Sequence, residues 1–278
     1  MGARQVLRKA HRFAGTGHHF PFVHYSSSST VFWPGCGLAG LHPAVVRKAI
    51  DILGKHLGTD VGVALDCCYD PVYQLGDIDA ARTASKRIEE RLRRRNISQV
   101  ITGCINCQKV LSRFLRDVTV KHFLEVLPPG IFTTIPEKHI YLHHPCPTFD
   151  LGSSIREHAE NLLGLEGRTI SESPKAMCCG YGSGLSSLSP VLAGQLTKLI
   201  IEAAGENPIV TYCTGCQDRF AKYGRGSTHV LELLCGSGPR GKQVSSFRRW
   251  VNRLLLALSQ KNLKLCSFHS SDIFICCS

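Results

Sequence analysis

The chain has 278 residues, 43% hydrophobic and 19% charged, which is enough apolar material for one large or two modest domains. Its net charge of +12 sits mostly at the ends: residues 1–30 carry +4, residues 237–278 carry +6, and residues 31–236 only +2. Collagen and wholesale disorder are excluded, no apolar run approaches the ~20 residues of a membrane-spanning helix, and the nearly neutral body argues against a nucleic-acid partner.

Residues 1–30 read as a basic, acid-free tail containing the serine run Ser26 to Ser29. The tail lacks the apolar segment of a secretory signal. The thiols are therefore expected in a reducing compartment, the cytoplasm, with an organelle transit peptide as the alternative. Residues 31–33 predict a strand ending at Pro34-Gly35-Cys36. Residues 43–56 predict an amphipathic helix opened by Pro43, with Val45, Ile50 and Leu53 on one face. The apolar run 61–65 leads into Cys67-Cys68, and 78–95 reads as a charged helix. The β-rich run 99–102 precedes a helix over 105–115. The second half repeats the order: strand 140–142, helix 154–163 opened by Ser154, Cys178-Cys179, helix 190–204, strand 209–212, and a helix from Thr214. Residues 117–138, with Pro128-Pro129-Gly130 at their centre, contain the join. Alternating strands and helices predict an α/β fold of two tandem, pseudo-symmetric halves, each with a small, mostly parallel sheet.

The 14 cysteines carry the strongest signal. Cys36, Cys67, Cys68, Cys104 and Cys107 follow the pattern C-x30-C-C-x35-C-x2-C; Cys146, Cys178, Cys179, Cys213 and Cys216 follow C-x31-C-C-x33-C-x2-C. Equivalent cysteines lie 109 to 111 residues apart, and Ile101-Thr102-Gly103-Cys104-Ile105-Asn106-Cys107-Gln108 echoes Val210-Thr211-Tyr212-Cys213-Thr214-Gly215-Cys216-Gln217. A buried structural thiol explains Cys235, inside the apolar stretch 230–234, but not a repeated pair with a repeated C-x2-C. Zinc could take the two C-x2-C pairs as one four-thiolate site, and would leave both C-C pairs unused. Iron–sulfur fits better. Neighbouring residues in an extended chain point to opposite sides, which suits separate irons of one cluster, and five ligands exceed the four of an ordinary cubane. Each C-x2-C precedes a helix whose N-terminus favours thiolate.

This arrangement resembles the cysteine-rich CCG domain family, best known from the B-type subunit of heterodisulfide reductase, with similar domains in iron–sulfur subunits of glycerol-3-phosphate dehydrogenase and glycolate oxidase and in lactate-utilisation proteins. The match covers about residues 31–235. The resemblance implies two [4Fe-4S] clusters of non-cubane type: one held by Cys36, Cys67, Cys68, Cys104 and Cys107, the other by Cys146, Cys178, Cys179, Cys213 and Cys216. It divides the chain into a tail (1–30), a first CCG domain (31–127), a second (138–236) and a basic C-terminal tail (237–278). The second unit has Cys178-Cys179-Gly180 where the first has Cys67-Cys68-Tyr69, so the first pocket is expected to be tighter or shaped differently.

Lesser features complete the reading. In His143-His144-Pro145-Cys146, His144 is the candidate proton donor to a leaving thiolate; a strand-end histidine satisfied by backbone is the alternative. Gly180, Gly182 and Gly184 lack the Lys-Ser/Thr of a phosphate loop and read as close packing around a cluster. In the segment 247–258, Phe247, Trp250, Val251, Leu254, Leu255 and Leu258 line one helical face. That face docks on a partner or a membrane surface, or else packs on the domain. Cys266, Cys276 and Cys277 match no motif. The expectation is an oxidoreductase subunit that passes electrons to a disulfide-type substrate. Without a ferredoxin run or a G-x-G-x-x-G fingerprint, its donor would be a ferredoxin-like or flavoprotein partner. A non-catalytic electron-relay subunit and a zinc-stabilised scaffold are the alternatives.

Overall fold

The computed structural model describes residues 5–9, 23–24, 28–128, 131, 139–151, 153–164, 169–172, 178–182, 184–236, 239 and 241–262. Cys266, Cys276, Cys277 and, of the join, residues 129, 130 and 132–138 lie outside them.

The first half is a βα unit built on a five-stranded sheet. Its strands are β1 (Val23–His24), β2 (Thr30–Trp33), β3 (Gly62–Ala64), β4 (Gln99–Thr102) and β5 (Thr119–His122), in the order β1-β3-β2-β4-β5. All but β1 run parallel. Its helices are α1 (Gly35–Leu41), α2 (Pro43–Leu57), α3 (Asp70–Gln74), α4 (Ile78–Arg93) and α5 (Ile105–Phe114). The second half holds β6 (His139–His143), β7 (Thr169–Glu172), β8 (Ile209–Thr211) and β9 (Ser227–His229), all parallel, in the order β7-β6-β8-β9. Around it lie α6 (Ser154–Gly164), α7 (Leu185–Leu188), α8 (Pro190–Ala204) and α9 (Thr214–Lys222), and α10 (Ser246–Asn262) follows.

The tandem α/β halves are as expected, down to register. Trp33 on β2 pairs Thr102 on β4, and His143 on β6 pairs Thr211 on β8, at equivalent places. β2 is buried along its whole length and apolar after Thr30, the pattern of a parallel strand covered on both faces. The glutamine after each C-x2-C fixes the helix that carries it. The Gln108 amide donates to Val120 O at 3.1 Å, and the Gln217 amide to Ser227 O at 3.0 Å.

Several elements differ from the sequence reading. β5 lies inside the segment read as the join, and β5, β7 and β9 were not expected. They are three or four residues long and carry polar residues, too short for period-2 alternation to register. The stretch read as an N-terminal tail contributes β1, which pairs antiparallel with β3, and Arg8 Nε donates to Leu75 O at 2.8 Å.

The halves grip each other reciprocally. Helix α2 packs on the 3-10 turn Val230–Cys235 of the second half, and α6 packs on the 3-10 turn Phe123–Glu125 of the first. One continuous apolar core runs through both. Across it, His42 Nε2 meets Gln217 Oε1 at 2.7 Å, and its Nδ1 pairs Glu232 Oε1 at 3.0 Å. His122 and His229, at equivalent strand ends, are fully buried. Burial first, and then nearby histidine charge, pushes both imidazoles down to about 3. Unfolding restores the ordinary value near 6.5, so their contribution to stability is present above that pH and is lost as pH falls toward 3. Each should cost about 1.4 kcal/mol per pH unit in that window. Urea unfolding at pH 7.5 and pH 5 should therefore find the pH-dependent loss about 2 kcal/mol smaller in His122→Gln than in the parent.

Candidate metal centres

All ten motif cysteines lie beyond the carboxyl ends of parallel strands, where open α/β sheets place their ligands. In each half the chain leaves the central strand at the first cysteine: Cys36 in α1 after β2, and Cys146 in a 3-10 turn after β6. The C-C pair follows β3 or β7. The C-x2-C opens a helix, with Cys104 and Cys213 as extended N-cap residues of α5 and α9 and Cys107 and Cys216 in the first turn. Thiolates there face the helix's positive end.

Each quintet converges within its own half. Cys107 Sγ lies 3.2 Å from Cys68 Sγ. Tyr69 N–H points at Cys67 Sγ and Gly180 N–H at Cys178 Sγ, both at 3.4 Å. Bonding to Cys104 and Cys68, then burial, holds the Cys107 thiol well above its ordinary value, and Cys179, Cys213 and burial do the same for Cys216. Bonding from Cys146 draws Cys178 down to about 7. Each C-x2-C thus joins its own C-C pair, so the fold does not merge the two C-x2-C pairs into one four-thiolate zinc site. None of the ten is in a disulfide. Cys36 and Cys146 are the exposed members of their quintets.

The donor chemistry fits a soft, multi-iron group: five sulfurs in each pocket, no carboxylate among them. Two further residues support the fit: Trp33, read from sequence only as the end of a strand, and His143, read only as part of the His143-His144-Pro145-Cys146 motif. Trp33 and His143 occupy equivalent strand ends, buried, and among the described residues Trp33 Nε1 and both His143 ring nitrogens have no hydrogen-bond partner. Trp33 packs with Cys68, Cys104 and Cys107, and a His143 nitrogen lies within 4.8 Å of the Cys179 and Cys216 sulfurs. A buried donor without an acceptor costs about 1–3 kcal/mol, a penalty that inorganic sulfide in the pocket would remove. The signal was in the repeat, since residues 33 and 143 are 110 apart.

His144, the candidate proton donor, is held by two side chains: its Nδ1 meets the Tyr212 hydroxyl at 2.9 Å and its Nε2 pairs Glu160 at 3.3 Å. Burial, then the His143 and Arg156 charges, lowers its imidazole to about 4, so both histidines are neutral at pH 7.

Tyr69 does not reshape the first pocket's backbone. It adopts the left-handed conformation, φ 63°, that Gly180 adopts at φ 80°. The glycine-rich loop is close packing, as expected: a Cβ on Gly180 would stand 2.3 Å from Ala193 O. Beyond it, Tyr181 packs its ring against Gly215, at the second site, and lies near enough to Cys36 to feel its charge. A Cβ on Gly37, next to Cys36, would meet Thr214 Oγ1 at 2.2 Å, so the segment carrying Cys36 lies directly on α9. The two quintets therefore adjoin at the junction of the halves. Cys235 ends a 3-10 turn and packs against the core, as a structural thiol should.

Helix α10 packs on α1, but not by the apolar face of the packing alternative. It buries Arg253, Leu256 and Ala257, and leaves Phe247 (76%), Trp250, Leu255 and Leu258 exposed. No helix among the described residues is long and apolar enough to cross a membrane.

The family model described as a cysteine-rich CCG domain matches twice, over residues 30–112 and 140–220. A curated iron–sulfur protein of Methanocaldococcus jannaschii is 27% identical across 67% of this chain and 40% of its own length. One subunit of the fumarate reductase (CoM/CoB) of Methanothermobacter marburgensis is 24% identical across 73% of this chain and 44% of its own length. The chain thus spans less than half the length of either relative.

Proposed function

Since the chain belongs to the cysteine-rich CCG domain family, with two copies in tandem, we propose that it is an iron–sulfur oxidoreductase subunit of a larger reductase complex. The observation that carries this reading is the convergence of five thiols in each half beside an unpartnered buried nitrogen. The names of both relatives, an iron–sulfur protein and a reductase subunit, support it. Cys36, Cys67, Cys68, Cys104 and Cys107 would hold one [4Fe-4S] cluster of non-cubane type, and Cys146, Cys178, Cys179, Cys213 and Cys216 the other. Bound there, such clusters supply one-electron chemistry at potentials set by charge, hydrogen bonds and exposure.

The chain's own residues prepare the sites. The N-termini of α5 and α9 favour thiolate, Trp33 and His143 offer N–H donors, and the apolar core keeps water from the deeper thiols. The substrate is a disulfide, met at the junction where Cys36 is exposed and Tyr181 lies against Gly215. Converting a disulfide to two thiols takes up two electrons and two protons. A ferredoxin-like or flavoprotein subunit supplies the electrons in the cytoplasm. Protons enter by Glu160 and His144, which connect the surface to Tyr212, the residue before Cys213.

Anaerobic purification with iron and acid-labile sulfide counts and EPR tests the assignment. About eight irons per chain are expected for two such clusters; colourless, zinc-loaded protein would refute it. With reduced donor, His144→Gln should slow disulfide reduction while leaving the iron count unchanged. The exposed stripe of α10 is the docking face for the donor subunit. Phe247→Ser with Trp250→Ser should weaken donor binding at least tenfold, about 1.4 kcal/mol, and leave the iron in place. Unchanged donor binding, or binding to anionic vesicles instead, would reassign the face.

A further inference from the structure

Five thiolates around one cluster make an anionic pocket inside an apolar core, and such charge is stable only beside fixed positive charge or dipoles. The second half provides a cation from within. Arg219, one turn after Cys216 on α9, is 3% exposed; its Nε donates to Thr197 Oγ1 at 2.8 Å. The Arg219 charge is close enough to act on the Cys179 sulfur. The equivalent residue of the first half is Val110, fully buried and uncharged. The first half therefore lacks the internal cation of the second.

Arg253 stands in its place. It lies on α10, outside both stretches matched by the family model, and is 7% exposed. Its Nη2 donates to Leu65 O at 3.1 Å, two residues before Cys67. Its charge is close enough to act on the Cys67 and Cys36 sulfurs. Both halves fix its position. Asn252 Nδ2 donates to Gly40 O at 2.8 Å on α1, and Arg249 Nη2 donates to Asp218 Oδ1 at 2.6 Å on α9. Arg91, another cation near this pocket, is matched by Asp66 at 3.1 Å.

We infer that Arg253 is the fixed counter-charge of the first five-cysteine site, supplied by the C-terminal helix in place of the arginine that the second half carries internally, and that it raises the reduction potential of the group bound there. This rests on the iron–sulfur reading above. A nearby cation favours the reduced, more negative state, so its removal favours the oxidised one. The helix α10 is then part of the first site rather than an appendage.

EPR-monitored redox titration of the anaerobically purified full chain tests this. In Arg253→Gln, one of the two clusters should fall about tenfold in its reduction equilibrium, 59 mV for one electron, with the other unmoved. Arg253→Lys should restore most of the loss, and Arg219→Gln should shift the other cluster instead. Arg253→Gln with both clusters present and both midpoints within threefold of the parent would overturn the inference. If Arg253→Gln sheds one cluster, iron counts on Arg253→Lys decide: retention supports a requirement for charge, whereas equal loss means packing alone and overturns it. A parent chain without iron or acid-labile sulfide overturns the iron–sulfur reading itself, and this inference with it.

Discussion

A Cys179→Ser chain purified without oxygen is expected to carry about four irons where the parent carries about eight. Cys179 is 4% exposed and sits in the middle of the second pocket, its sulfur within 4.8 Å of the Cys216 sulfur and a His143 nitrogen. Serine at that place offers a hydroxyl that stays protonated at neutral pH and a harder oxygen in place of a soft thiolate. Cys68→Ser should remove the other half of the iron, because Cys68 meets Cys107 at 3.2 Å in the first pocket. Each quintet is confined to its own half, so each loss should be local: one EPR signal disappears and the other keeps its shape. Iron content unchanged in both variants would refute the ligand assignment. The prediction is sharper than total loss of activity, since it assigns each signal to a pocket.

Gly180→Ala should cost about 3 kcal/mol or more and empty the second pocket. Two effects act together there. The position has φ 80°, where a Cβ is strained, and the added carbon would stand 2.3 Å from Ala193 O and 3.0 Å from Ala193 Cα. Both obstacles are backbone at the start of α8, which cannot rotate aside. Either the helix or the Cys178-Cys179 loop must move, and the loop is the less constrained. The equivalent change in the first half runs the other way in one respect. Tyr69→Gly relieves a left-handed tyrosine, worth about 1–2 kcal/mol. The Tyr69 ring, however, is 6% exposed and packs with Cys67, Val72, Ala81 and Ala84. Losing a buried aromatic costs about 3–5 kcal/mol, so packing wins and Tyr69→Gly should be net destabilising by roughly 2 kcal/mol. Urea midpoints of the two variants, read with iron counts, check both signs. A Gly180→Ala protein as stable and as iron-rich as the parent would mean that the loop is not clamped by α8.

The duplicated cysteines, the tandem α/β halves and the central strands were all legible in the amino-acid sequence. Spacing and apolar runs are one-dimensional, and a parallel sheet with covered faces writes its strands as uninterrupted apolar segments. The edge strands β5, β7 and β9 were not legible, because three or four residues with polar members carry too little periodicity. Gln108 and Gln217 were visible as an echo, but their task of tying a helix to the neighbouring strand needed β5 and β9 to exist.

Two sets of five thiols, at a spacing that no packing requirement produces, were written in the chain before any fold was known. Their surroundings came from the fold. It put Trp33 and His143 against the thiols, laid the segment carrying Cys36 on α9, and brought Arg253 from far along the chain to Leu65. Ligand spacing is set by local chain geometry and repeats with it. The charge and hydrogen bonds around a site come from whichever elements fold across it, and residue type alone does not record that contact.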